Sequence, residues 1–322
     1  MSFKFNFTGL LALGLALTPL AAFAQDTAVD LGTLGGTSSV AFDINDNEQI
    51  VGNSATASDG VHAFLWENGT MKDLGKGEAH AINSHGDVVG FRLIRFDETG
   101  YEIDGILYKD GKEFALEPLP GHTSTSAYDI NDAGQIVGLS DKSAVVWNDL
   151  VPTDLGSLGG GETIAKAINN SGWIVGTSKT ADGVNHAFLW RDGVMEDIGS
   201  LGNGRTVAHG INDKGQIVGE SAGKSFIWEN GVMKELAKNG SSSFAYDINE
   251  QGAIAGKGDH WARDWPTVWS TDLTVRELLL VEGGLWADAA AINNKGAVVG
   301  STTYGVPSDT VAPKGARATL WK

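Results

Sequence analysis

The 322-residue chain has no cysteine, which removes disulfides, thiolate catalysis and every cysteine-ligated zinc or iron–sulfur centre. Basic residues are scarce: 23 Lys and Arg stand against 40 Asp and Glu, a formal net charge of -17. Such a chain has little with which to displace the counterions of a phosphate backbone, so no nucleic acid and no anionic membrane surface is expected as a partner. Proline is sparse, at 7 residues, and glycine abundant, at 44, which points to many tight turns and away from a collagen-like or low-complexity chain. Beyond the N-terminus no apolar run is long enough to span a bilayer, so no membrane insertion is expected. What is present is core-forming material: 42% hydrophobic residues, including 10 Trp, exclude global disorder.

Lys4, the apolar residues 10–20 and the small-residue box Ala22-Phe23-Ala24 form the three parts of a secretory signal. Residues 1–24 are expected to be a signal peptide cleaved before Gln25, because the apolar stretch is far short of the about 20 residues a transmembrane helix needs. Residues 25–322 are then expected to be a single secreted domain, extracellular or periplasmic, with no lipid anchor.

An internal repeat sets the architecture. The phrase Ala-x-x-Ile-Asn-x-x-Gly-x-Ile-Val-Gly recurs around Asn45, Asn83, Asn131, Asn169, Asn212, Asn249 and Asn293, 248 residues over six steps. A second phrase follows it, His62-Ala63-Phe64-Leu65-Trp66 and onward to Leu74, returning from His186 to Ile198. Each unit of about 41 residues therefore holds four short segments, A to D, rich in β-branched or aromatic residues and bounded by Gly, Asn and Asp. Four antiparallel strands at this period form a β-propeller blade. The seventh unit stops after its C strand, Arg317 to Trp321, while residues 29–36 match the D strand and exit loop at 153–160. The expected fold is all-β, a seven-bladed propeller of four-stranded antiparallel blades, with the N-terminal strand completing the last blade.

The phrases Gly210-Ile211-Asn212-Asp213-Lys214-Gly215-Gln216-Ile217-Val218-Gly219 and His-Ala-Phe-Leu-Trp at residues 62–66 and 186–190 resemble the bacterial HAF repeat, an extracellular-repeat family named for that tripeptide. The resemblance covers nearly all of 25–322. It implies an exported protein and carries over no catalytic residues. Glu48 stands where the turn Gly belongs, Tyr108 replaces the strand C Trp, and Val145-Val146 and Thr319-Leu320 replace Phe-Leu.

Residues present in every repeat build the blade, since chemistry needs a group once or twice. The seven Asn are expected to form turns, and the strand C Trp at 66, 147, 190, 228, 269 and 321 to pack between blades. His62 and His186 share one strand C position and are expected to be half-buried hydrogen-bonding residues. Gly219-Glu220-Ser221-Ala222-Gly223 matches a nucleophile elbow only by accident, because no helix follows.

Function is expected on the face that carries the B–C and D–A connections, because the B–C spans vary while the A–B and C–D turns are uniform. The candidate ligand-binding residues there are His260, Trp261, Arg263 and Trp265, in the sixth B–C loop, and Trp286 in the neighbouring D–A loop, aromatic faces suited to stacking on sugar rings. A second candidate is the second residue of strand A, which reads Phe42, His80, Tyr128, Lys166, His209, Tyr246 and Ala290. His80, Tyr128, His209 and Tyr246 have the chemistry of an acid–base site. Strict alternation places them on the face of the buried Ile, however, which assigns them to inter-blade packing. Asp43, Asp129 and Asp247, one residue on, suggest a cation in the channel; calcium is the one ion considered, and no other cofactor is expected.

The leading expectation is a secreted, monomeric, non-enzymatic propeller that binds an extracellular polysaccharide or protein on its variable-loop face. The alternative is a carbohydrate-active enzyme, a polysaccharide lyase or hydrolase, using the His and Tyr ring; the negative net charge disfavours a uronate polymer as its substrate unless a local Arg pair or a bound cation overrides the mean. Convergence of that ring on an open cleft favours the enzyme; burial between blades removes it.

Overall fold

The computed structural model describes residues 27–322 apart from 59, 98–99, 203, 260–262 and 306–314, so the expected signal peptide lies outside the described residues. Among the described residues no helix is long and apolar enough to cross a membrane. The described residues form five four-stranded sheets and one of seven strands. The larger sheet is two blades sharing the strand Thr70–Ile82, whose first half pairs with Val61–Glu67 and whose second half pairs with Val88–Asp97. The result is seven antiparallel four-stranded blades. Their A strands touch in closed order, the seventh (Gly284–Ile292) returning to the first (Gly35–Ile44).

Burial explains the ring. Seven apolar clusters fill the seven seams between neighbouring blades; one joins Ala291, Val299 and Leu320 of the last blade to Ala41, Ile50 and Phe64 of the first. Trp147, Trp269 and Trp321 are fully buried, and their indole N–H groups donate to the carbonyls of Glu117, Ala237 and Leu279 in the preceding blade. Trp66 and Trp190 are only half-buried. His62 and His186 each hold a strand D carboxylate, Asp73 at 2.9 Å and Asp197 at 2.7 Å.

The Asn of each A–B turn does more than shape the turn. Its Oδ1 accepts the amide hydrogen four residues on in every blade and also that two residues on in five of them, as Asn169 does from Ser171 and Trp173. Its Nδ2 donates to the carbonyl of the next blade's Asn at 3.0 to 3.3 Å, and the seven bonds close a circle from Asn293 back to Asn45. The turn itself needs a left-handed residue: Gly at six blades and, at the first, Glu48 with φ 59°.

Closure follows the sequence match. Ala28–Asp30 pairs with the last strand in the register Ala28 to Trp321, Val29 to Leu320 and Asp30 to Thr319, and Leu31 is buried in the seam beside it. Deleting residues 26–36 is expected to lower the melting temperature, with about 2 kcal/mol from the loss of Leu31 burial alone, and to promote association through the bared edge. Thermal unfolding and size-exclusion chromatography test this, and an unchanged melt contradicts it.

Candidate functional site

The position of the ring residues is set by a backbone irregularity that recurs in every blade. The A and B strands lose register at Ala41/Asp43, Ala79/Ala81, Ala165/Ala167, Ala208/Gly210, Ala245/Asp247 and Ala289/Ala291, and at the equivalent place in the third blade. The extra residue in each bulge is the second residue of strand A. A bulge breaks the two-residue alternation and re-aims the side chain. Four consecutive residues then point three ways: Ala41 and Ile44 face one neighbouring blade, Asp43 accepts an amide hydrogen from the other, and Phe42 faces the axis. The expectation that the ring shares the face of the buried Ile is thus corrected: His80, Tyr128, Lys166, His209 and Tyr246 line one axial cavity of about 160 Å³ with Phe42 and Ala290.

What permits the bulge is the Gly of strand B. A Cβ on Gly219 would lie 2.0 Å from the carbonyl oxygen of Val207, and the same contact of 1.9 to 2.0 Å recurs at Gly52, Gly90, Gly138, Gly176, Gly256 and Gly300. The repeated Gly therefore belongs to the site's construction as well as to the blade's.

Within the cavity the aromatic rings touch from blade to blade. Phe42 meets His80 edge-on at 5.8 Å, His80 stacks on Tyr128 at 5.4 Å, and His209 meets Tyr246 edge-on at 5.8 Å. The Lys166 ammonium sits 4.2 Å from the centre of the Tyr128 ring. His80 is committed: Nδ1–H donates to the Ala127 carbonyl at 2.7 Å and Nε2 faces Glu78 Oε2 at 3.3 Å. His209, by contrast, has no hydrogen-bond partner among the described residues, and burial, then Lys166 and Arg205, push it down to about 4. Tyr246 is pushed above the ordinary phenol range by burial and then by Asp288, Asp264 and Glu220. At neutral pH the cavity therefore presents a neutral imidazole with a free nitrogen beside a protonated phenol.

One step further along the axis lie Asp43, Asp129 and Asp247. Each carboxylate accepts its own strand's next amide and, with its second oxygen, the amide of an Ile in the following blade: Ile82, Ile168 and Ile292 at 2.8 to 2.9 Å. The suggested cation role gives way to a brace between blades, and among the described residues no group of three or more His, Asp or Glu is placed to hold a metal ion. The far end of the channel, about 200 Å³, is walled by the Asn circle and by Asp46, Asp132, Asp213 and Glu250.

The loop-face aromatics are placed differently from expectation. Strands B and C of the sixth blade extend to Ile254–Asp259 and Asp264–Trp269, so Trp265 is a strand residue paired with Gly258 and not part of a loop. Trp286 likewise lies within the A strand Gly284–Ile292, opposite Thr303. Both are half-buried, Arg263 is exposed, and His260 and Trp261 lie outside the described residues. A further non-repeating Trp escaped the sequence reading: Trp173 occupies a turn position held by Gln in three other blades, rests where a Cβ on Gly215 would intrude, and carries Arg191 at 5.1 Å from its ring.

No family model matches the chain, and no curated protein does. Solved structures do. The fold is similar to that of a streptogramin B lyase, at 14% identity and a TM-score of 0.63 over 92% of this chain and 97% of that one. It is similar to virginiamycin B lyase from Staphylococcus aureus at 10% identity and 0.63, covering 92% and 99%. It is also similar to YCF48 bound to D1 peptide, at 11% identity and 0.55, covering 93% and 97%. At these identities the likeness is one of fold.

Proposed function

We propose that this chain is an exported carbohydrate-active enzyme, a polysaccharide lyase or hydrolase, working from the axial cavity. The observation that carries this reading is the convergence of His80, Tyr128, His209 and Tyr246 on one cavity with His209 left unpartnered among the described residues. In this reading His209 accepts the substrate proton and Tyr246 supplies one to the leaving oxygen, while the Glu78–His80 pair fixes the opposite wall. The cavity is smaller than the about 300 Å³ at which ligand pockets begin, so it suits the reacting group of a larger molecule whose bulk lies across the loop face. Lyases and a peptide-bound protein share the fold, and that leaves both catalysis and binding open to this scaffold. The extracellular assignment rests on the HAF-like phrases and the N-terminal residues.

Incubation of the protein with immobilised polysaccharides, scoring retained protein and released fragments together, tests the proposal. Fragment release that falls about 100-fold in His209→Ala and in Tyr246→Phe, with melting temperatures kept, is the expected result. Release that both variants leave unchanged overturns it. The binding reading is favoured by the variable B–C spans; retention without fragments, lost on replacing Trp265 and Trp286, is its signature.

A further inference from the structure

We infer that the axial cavity receives a singly charged carboxylate on Lys166, so that the substrate sugar is a uronic acid; this deepens the catalytic reading and rests on it. Among the described residues, Lys166 is the only Lys or Arg lining the cavity. The other lysines that the structure pairs with carboxylates sit nearer the surface, as Lys179 does with Glu162 at 2.6 Å and Lys224 with Glu235 at 2.6 Å. Lys166 has no such partner among the described residues, only the Tyr128 ring. Burial disfavours its charge. A buried ammonium without a counter-charge is costly, and an incoming anion relieves that cost. Asp129 and Asp247 line the same cavity but form no ion pair with Lys166; their oxygens accept backbone amides instead.

Charge and shape narrow the ligand. One ammonium above three carboxyl groups matches a single negative charge better than a phosphate dianion. Ala290, three blades from Lys166, leaves room across the channel. The acidic far mouth, with Asp46, Asp132, Asp213 and Glu250, turns an anion away, so it enters from the loop face. A carboxylate also supplies the chemistry that His209 needs, because it acidifies the adjacent C5–H. His209 takes that proton, the C–H electron pair becomes the C4=C5 double bond, the C4–O bond breaks, and the departing oxygen takes the Tyr246 proton. Charge on the developing enolate rests on Lys166. Neutralising Lys166 also removes one of the causes that hold His209 low, which raises its basicity once substrate is bound.

The test is calorimetric titration at pH 7 of wild type and Lys166→Met with galacturonate, galactose and inorganic phosphate, alongside fragment release from uronate and neutral polymers. Galacturonate is expected to bind wild type at least about 10-fold more tightly than galactose or phosphate, and Lys166→Met to lose that margin. Lys166→Met is expected to melt no lower than wild type, since it removes an uncompensated buried charge. Equal binding of galacturonate and galactose, tighter phosphate, or an unaltered margin in Lys166→Met each overturns the inference. Carboxylate binding that depends on Lys166 without release from any polymer keeps this inference and removes the catalytic reading; release from a neutral polymer indifferent to Lys166→Met does the reverse.

Discussion

Gly219→Ala is expected to destabilise the protein by about 4 kcal/mol or more, at the rare end of single-residue effects. The added methyl would meet the Val207 carbonyl oxygen at 2.0 Å, the carbonyl carbon at 3.0 Å and the Ala208 Cα at 3.0 Å, all backbone atoms of the neighbouring strand. No rotamer change relieves a backbone clash, so either the strands part or the bulge that aims His209 flattens. Gly231→Ala is the control. Gly231 sits in the surface turn between strands C and D with φ 82° and open space where its Cβ would go, so the substitution costs only the about 1 to 2 kcal/mol of a left-handed alanine. Chemical denaturation of the two variants separates close approach from backbone conformation. Equal costs would mean that the strand B glycines serve the backbone alone and that the bulge does not depend on them.

The contrast also marks what a sequence can disclose. The repeat phrase makes blade number, strand order and the closing strand legible, because turn residues and hydrophobic spacing are local and recur; Val29 to Leu320 pairing follows directly from matching 29–36 with 153–160. The direction of the ring side chains was not legible by alternation, because one inserted residue per blade reverses the parity at Phe42, His80 and their equivalents. The signal was present all the same: a Gly in every strand B, beside β-branched residues where a side chain is otherwise favoured, is the mark of a backbone approaching closely. The Asn circle was half legible. Turn bonding is local, whereas the bond from Asn169 to the Asn212 carbonyl exists only once the blades are ringed. Trp265 and Trp286 were misplaced for the opposite reason: their strands run past the repeated phrase, where the pairing is set by register and not by motif.

Stability is expected to fall as pH rises from 5 to 8. Asp43 and Asp129 are pushed up from 3.8 to about 7, chiefly by burial, and Asp247 is raised by the same cause. Their folded values exceed the unfolded ones, so the folded state binds protons more tightly. The contribution is complete below about pH 4 and is lost as pH climbs through 7, at about 1.4 kcal/mol per pH unit for each group that stays protonated only when folded. His209 works the other way: lowered from 6.5 to about 4, it binds its proton better when unfolded, so its contribution grows between pH 4 and 6.5 and offsets one of the three carboxyl groups there. The surface acids held low, such as Glu162 by Lys179 and Asp141 by backbone amides, are ionised across the whole window and stay silent. Differential scanning calorimetry from pH 5 to 8 is expected to show a falling melting temperature, steeper below pH 6.5 in His209→Ala and flatter in the Asp43→Ala, Asp129→Ala double variant. A melting temperature that rises across this window would place charged carboxylates, not protonated ones, between the blades, and the braces to Ile82 and Ile168 would then hold the ring together best when ionised.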